Sequence, residues 1–424
     1  MEKLKGKKPS IRFPEFKDDW QHTKLSELLS EAKKRNEDLK YGKDEVLSVS
    51  GELGIVNQIE HLGRSYAGAS VHNYHVVETG DIVYTKSPLK ANPFGIIKLN
   101  KGKAGIVSTL YAVYKVNDKT CYGPWLDYYF SLDANTNRYL RPLVKKGAKN
   151  DMKINNAYVL HDRIFAPSIP EQKRIASFFT VVDKKIAELK QKKALLEQYK
   201  KGIMQKIFSQ ELRFKPARPS GGDDNGKKFP KWEKKKLGEI GETYGGLSGK
   251  SKENFGIGKP YIQYKQIFDD SKINISRFEL VDIGENENQN KVQFGDVFFT
   301  VSSETPNEIG MSSVLLDEIE ELYLNSFCFG FRANSLSELN PYFSRYLFRS
   351  ENFRNEIIKL AQGSTRYNMS KLQLLKIEIL LPCIEEQTKI ANFLSAIDEK
   401  INQTETQIQQ MQVWKTGLLQ KMFV

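Results

Sequence analysis

No run of about 18 apolar residues occurs in this 424-residue chain, so no membrane-spanning helix is expected. The N-terminal MEKLKGKKPSIRF is basic but lacks an apolar stretch, and no signal peptide is expected from it. Cysteine is scarce. Cys121, Cys328 and Cys383 are scattered and odd in number, which gives no disulfide framework and no cysteine zinc site and suits a reducing, cytoplasmic compartment. Histidine is scarce too, and confined: His22, His61, His72, His75 and His161 all lie in the first half. His72-x-x-His75 has ligand spacing but no third partner nearby, so no metal site is expected. Acid is short relative to base, with 52 Asp+Glu against 65 Lys+Arg and a formal charge of +13. That sign favours polyanions, nucleic acid above all.

Catalytic motifs are missing as well. Gly245-Gly246-Leu247-Ser248-Gly249-Lys250-Ser251 falls one residue short of a phosphate-binding loop, because Tyr244 stands where the first glycine is needed. Asn92-Pro93-Phe94 lacks one proline of the adenine-methyltransferase loop, and no glycine-rich cofactor loop follows a strand. No catalytic constellation is shared by the two halves. The chain reads as non-catalytic, with no cofactor of its own.

What is present is a duplication. Pro167–Phe208 and Pro382–Phe423 correspond without gaps at an offset of 215 (382 − 167 = 423 − 208), and 15 of the 42 positions are identical. Each block carries apolar residues at alternating spacings of four and three, a heptad seam. The first runs through Ile175, Phe179, Val182, Ile186, Leu189, Leu196 and Ile203. The second runs through Ile390, Leu394, Ile397, Ile401, Ile408, Met411 and Leu418. Roughly 38 residues make a helix of about 57 Å, and one so long with a one-sided seam needs a partner. The nearest partner is its own duplicate. Lys193, Lys200, Thr404 and Lys415 interrupt the seam; they either set register or face a further protein.

The segments before the helices match too. Phe13-Pro14 answers Phe229-Pro230, and Gly80-Asp81 before Ile82–Thr85 answers Gly295-Asp296 before Val297–Thr300, again at 215. Glycine-aspartate before a β-prone run predicts a turn feeding a strand. Aromatic helical stretches follow at 125–130 and 342–348. The middles, 48–76 and 244–283, do not align. The chain is therefore α+β: a globular module and a long helix, used twice. The predicted bounds are 1–165, helix 166–212, a Pro/Gly-rich linker 213–228, 229–381 and helix 382–424.

Candidate DNA-contacting residues come from loops, most of them at matched places in the two modules. The first module offers Lys86 and Lys90, then Lys145, Lys146, Lys149, Asn150 and Lys153 in a strongly basic stretch. The second offers Lys250 and Lys252, Ser302 and Ser303, then Gly363, Ser364, Thr365, Arg366, Tyr367 and Asn368. Lysine and arginine neutralise phosphates, arginine and asparagine read base edges, and glycine permits close backbone approach. A second class of function is open on these residues: a structural scaffold whose helices bind protein and whose basic charge is incidental.

Both halves resemble the specificity subunit of type I restriction–modification enzymes. The resemblance rests on Glu171-Gln172, Ile175-Ala176, Phe178 and Asp183-x-Lys185-Ile186, repeated as Glu386-Gln387, Ile390-Ala391, Phe393 and Asp398-x-Lys400-Ile401. It rests also on the Gly-x-x-Gln-Lys-x-Phe ends at Gly202–Phe208 and Gly417–Phe423. It implies two target-recognition domains, each reading one half of a bipartite, asymmetric DNA site, and two helices pairing as an antiparallel coiled coil that acts as spacer. It implies partners as well: double-stranded DNA, two methyltransferase subunits using S-adenosylmethionine, and restriction subunits using ATP and Mg. The first half departs from the family's Gly-Ser/Thr pairing with Gly147-Ala148-Lys149, which implies a DNA loop different in detail.

Overall fold

The structure, a computed structural model, describes residues 6–89, 91–146, 152–216, 228–363 and 365–424. It divides into two compact units, Met1–Lys190 with Thr406–Val424, and Gln191–Glu405. The division cuts both long helices, Ile169–Phe208 and Ile384–Met422, near their middles. The sequence-based bounds gave each module its own helix. In the structure each unit holds one globular module with half of each helix.

The expected Gly-Asp turns feed central strands. In the first unit a four-stranded antiparallel sheet runs in the order Leu29–Glu31, Tyr111–Val116, Ile82–Thr85, Ile96–Leu99. In the second the order is Gly241–Gly245, Cys328–Ala333, Val297–Thr300, Ser312–Val314, also antiparallel. Gly80 and Gly295 take φ of +93° and +88°, a conformation side chains resist. The aspartate after each closes its turn by accepting a backbone N–H three residues back, Glu78 for Asp81 at 2.7 Å and Gln293 for Asp296 at 2.8 Å. Each carboxylate also meets a cation on the neighbouring strand, Lys115 at 3.1 Å and Arg332 at 2.6 Å.

The strand pairs Gln21–Lys24 with Arg163–Ala166 and Glu233–Lys236 with Glu378–Leu381 lead into the helices. The aromatic stretches form the helices Gly123–Ser131 and Pro341–Leu347, whose inner faces enter the cores. Trp125, Phe179 and Trp20 are fully buried in the first core; Phe299, Phe331, Phe343 and Phe348 fill the second. The unalignable middles fold differently. The first unit inserts a hairpin, Leu47–Ser50 with Gly54–Asn57, and the helix Gln58–Leu62. The second inserts a three-stranded sheet of Glu279–Val281, Phe255–Ile262 and Tyr323–Leu324.

The Glu-Gln pair that opens each helix locks it to its module. Glu171 is buried and accepts from Arg12 Nε and Nη2, both at 2.7 Å, and from Trp20 Nε1 at 3.2 Å. Glu386 accepts from Arg213 Nε (3.1 Å) and Nη2 (2.6 Å) and from Trp232 Nε1 (3.1 Å). Gln172 accepts the Tyr122 N–H and donates to the carbonyls of Thr120 and Pro167. Gln387 does the same with Asn340, Glu338 and Pro382. The predicted linker therefore begins with an anchor: Arg213 on Glu386, and Phe214 edge-on to Phe393. Its counterpart is Arg12-Phe13, with Phe13 edge-on to Phe178. Even the backbone agrees. The Leu212 N–H bonds the Lys206 carbonyl at 2.9 Å, and the Ile11 N–H bonds that of Lys421 at 3.0 Å (206 + 215 = 421). Ile11–Phe13 thus sits against the end of the second helix as Leu212–Phe214 continues the end of the first.

Three of the four polar interruptions of the seam are internal ion pairs. Lys415 Nζ meets Asp183 at 2.5 Å, and the Tyr128 hydroxyl donates to the same carboxylate at 2.8 Å. In the other unit Lys200 meets Asp398 at 2.5 Å, Tyr346 donates to it at 2.8 Å, and Arg345 lies 3.2 Å away. Lys193 pairs with Glu405 at 2.7 Å, and the buried Thr404 hydroxyl donates to the Lys400 carbonyl. In the second unit these pairs set the helix halves side by side and antiparallel, 193 meeting 405 and 200 meeting 398; in the first, 415 meets 183. The apolar seam residues named above are all buried or half-buried.

Candidate DNA interface

In the second unit two of the predicted loops become one surface. Ser302–Ser303 pairs antiparallel with Tyr367–Asn368, in the register Ser302 to Asn368 and Ser303 to Tyr367. The backbone leading into Tyr367–Asn368 needs its glycine. Gly363 has φ +128°, and a Cβ there would come within 2.2 Å of the Arg366 carbonyl oxygen. Thr365, Arg366 and Asn368 are exposed and Tyr367 is half-buried. Ser302 and Ser303 are buried, and the Ser303 hydroxyl accepts the Thr305 N–H. These serines support the surface from below rather than reach outward. Ser364 lies outside the described residues.

Lys250 is a correction. Its side chain is only 7% exposed, ion-paired with Glu287 and donating to the Asp282 carbonyl at 2.5 Å. A lysine so enclosed is not available to a phosphate; it closes the 245–251 turn against the 282–289 loop. The cation beside it, Lys252, is exposed on a short 3-10 turn, Lys252–Asn254.

In the first unit Lys145–Lys146 forms a two-residue strand against Met152–Lys153, with Lys145 opposite Lys153. Lys145 is exposed. Lys86 is half-buried at the end of the Ile82–Thr85 strand, the place Val301 holds in the other unit. Lys90, Lys149 and Asn150 lie outside the described residues.

Residue reading missed two participants. The Tyr264 hydroxyl donates to the Ser302 carbonyl at 2.7 Å, and burial raises its pKa. Lys371 is exposed just past the Tyr367–Asn368 strand, its Nζ 3.2 Å from where a Cβ on Gly245 would stand. Tyr264 comes from the middle that does not align, so no repeat signal marked it. Lys371 was an isolated lysine in a lysine-rich chain.

The enzyme-like motifs resolve into structure. Asn92 is buried, its amide donating to Asp133 at 3.0 Å and its backbone closing a turn with Leu89. Among the described residues no group of three or more His, Cys, Asp or Glu is arranged to hold a metal ion. No helix among them is long and apolar enough to cross a membrane.

The family model for the type I restriction modification DNA specificity domain matches twice, at residues 17–198 and 230–412. The chain is 27% identical over 258 residues to the type I restriction enzyme MjaVIII specificity subunit of Methanocaldococcus jannaschii. That match covers 56% of each, so the chain spans about half the length of this curated relative. Two solved structures share the fold. One is a chain from a study of complex assembly and conformational transition in the type I R-M system, with TM-score 0.56, 17% identity and 95% and 97% coverage of the two chains. The other is the type I restriction–modification S subunit from M. genitalium, with TM-score 0.53, 14% identity and 99% coverage of both. With two copies of the domain spanning most of its length, the chain belongs to the type I restriction–modification DNA specificity family, whose work is recognition of a DNA sequence.

Proposed function

We propose that each unit reads one half of a bipartite, asymmetric DNA site, and that the long helices set the distance between the half-sites. The observation that carries this reading is the matched frame with unmatched loops. The sheet order, the Glu-Gln lock and the Lys-Asp-Tyr node repeat, while the inserted middles and candidate contact loops differ. One scaffold with two faces is what two unlike half-sites require. The formal +13 supplies the attraction to phosphate common to all sequences.

The chain itself is non-catalytic in this reading. Methyltransferase subunits dock on the helices and supply S-adenosylmethionine chemistry; restriction subunits supply ATP- and Mg-dependent work, in the cytoplasm. Exposed apolar side chains on the helices support docking there: Val181, Val413 and Trp414 in one unit, Leu195 and Tyr199 in the other. Footprinting of the complex tests the proposal. Two protected base clusters about one helical turn apart, ~34 Å, are expected; a single contiguous site would refute it. Replacing the first module should change one cluster alone.

A further inference from the structure

An exposed apolar side chain stands at the same place in both units. Leu110 and Phe327 are each 61% exposed. Each ends a tight turn into the strand beside the Gly-Asp strand. The Ser108 hydroxyl oxygen accepts the Leu110 N–H at 3.3 Å, and the Ser108 carbonyl accepts the Tyr111 N–H at 3.0 Å. In the other unit Asn325 Oδ1 accepts the Phe327 N–H at 2.8 Å, and the Asn325 carbonyl accepts the Cys328 N–H at 3.1 Å. The carbonyl of Leu110 takes the Lys86 N–H at 3.4 Å, and that of Phe327 takes the Val301 N–H at 3.1 Å. The offset 301 − 86 is again 215.

A single exposed apolar residue is ordinary. One pinned by the same set of hydrogen bonds in two modules that have otherwise diverged at their loops is a placement. Its surroundings favour DNA over a protein partner. The backbone of Val301 bridges Phe327 to Met369, whose N–H it accepts at 2.9 Å. Phe327 and Met369 are therefore hydrogen-bonded to one and the same residue, which sets Phe327 close to the Tyr367–Asn368 strand. Thr365, Arg366, Asn368 and Lys371 there are exposed and of the kinds that bond phosphates and base edges. Leu110 sits likewise beside the loop that begins at Lys86.

We propose that Leu110 and Phe327 are specificity-determining residues, each making the apolar contact of its unit with DNA bases, on a thymine methyl or as a wedge at a base step. Leucine in one unit and phenylalanine in the other then favour different steps, which contributes to the asymmetry of the site. The assignment rests on the reading that each unit takes one half-site.

The test uses the full chain assembled with methyltransferase subunits, with binding and methylation measured on duplex libraries randomised in each half-site. Phe327→Ala is expected to weaken cognate binding roughly tenfold and to relax base preference in one half-site only. Leu110→Ala should relax the other, with a smaller loss. Phe327→Leu and Leu110→Phe keep an apolar side chain and should shift preference at those same positions. If the unaltered complex reads no two-part site, the half-site reading falls, and this assignment with it. If it does, and all four variants keep its affinity and preferences, only the assignment of Leu110 and Phe327 falls. A variant that instead loses its methyltransferase subunits marks a protein contact and overturns the assignment.

Discussion

Arg12 grips Glu171 from 159 positions away, and Arg213 grips Glu386 from 173, yet the atoms correspond: Nε and Nη2 on the two carboxylate oxygens, with an indole N–H as third donor. A few residues further out the two units part. One carries a hairpin and a short helix, the other a three-stranded sheet. The difference shows where each region's constraint comes from. Residues that fasten a module to the helices answer to one geometry and repeat bond for bond. Residues on the far loops answer to whatever each unit meets there, and they do not repeat.

Breaking the lock should give the largest effect. Glu386→Ala strands a guanidinium and the Trp232 N–H around a site that is fully buried. Removing one partner of a buried ion pair costs about 3–5 kcal/mol. Glu171→Ala should match it, since Glu171 is 1% exposed. Denaturant unfolding with amide exchange should show the loss in the unit that holds the altered residue. A loss below about 1 kcal/mol would mean that the carboxylates are decorative and the aromatic packing alone fastens the helices.

The seam nodes sharpen the comparison, because here the units are alike in plan and unlike in burial. The Asp398 side chain is 13% exposed and faces Lys200, Arg345 and Tyr346; the Asp183 side chain is 39% exposed and faces Lys415 and Tyr128. Burial holds the Lys200 pKa below the ordinary lysine value. Asp398→Asn, which leaves two cations facing no charge, is expected to cost about 2–3 kcal/mol. Asp183→Asn, largely hydrated, should cost about 1 kcal/mol or less. Equal losses in thermal unfolding of the two variants would contradict the burial argument.

Much of this architecture was legible in the chain because it is periodic or local. The heptad seam, the Gly-Asp turns and the 215-residue offset are patterns of spacing, and each became the element expected of it. The role of Glu171 and Glu386 was not legible, because their partners lie more than 150 positions away and no spacing links them. The same holds for Lys200 and Lys415. As single letters they looked like flaws in a seam; each is one half of an ion pair whose other half sits on the opposite helix. Lys250 misled for a related reason. A lysine in a glycine-rich turn suggests an outward cation, and only the fold brings Glu287 to it. The strand pairing that joins Ser302–Ser303 to Tyr367–Asn368 was half legible. Both loops were marked by their place in the repeat, but their pairing needed the sheet.

Acid should separate the two units as well. All five histidines lie between positions 22 and 161, in the first unit, and the Gln191–Glu405 unit has none. His75 is buried, its Nδ1 without a hydrogen-bond partner. Desolvation foremost, then Arg35 and Lys86, lower its pKa from 6.5 to about 4, with Glu31 opposing. The folded ring is therefore neutral where the unfolded one takes a proton. Its contribution is whole above pH 6.5 and is lost as the pH falls toward 4, at no more than ~1.4 kcal/mol per pH unit for one proton. Amide exchange at pH 7 and pH 5, corrected for intrinsic rates, should show protection falling in the first unit relative to the second. His75→Leu should remove most of that difference. If the units instead weaken in parallel, carboxylates common to both dominate the acid response, and His75 is not what distinguishes them.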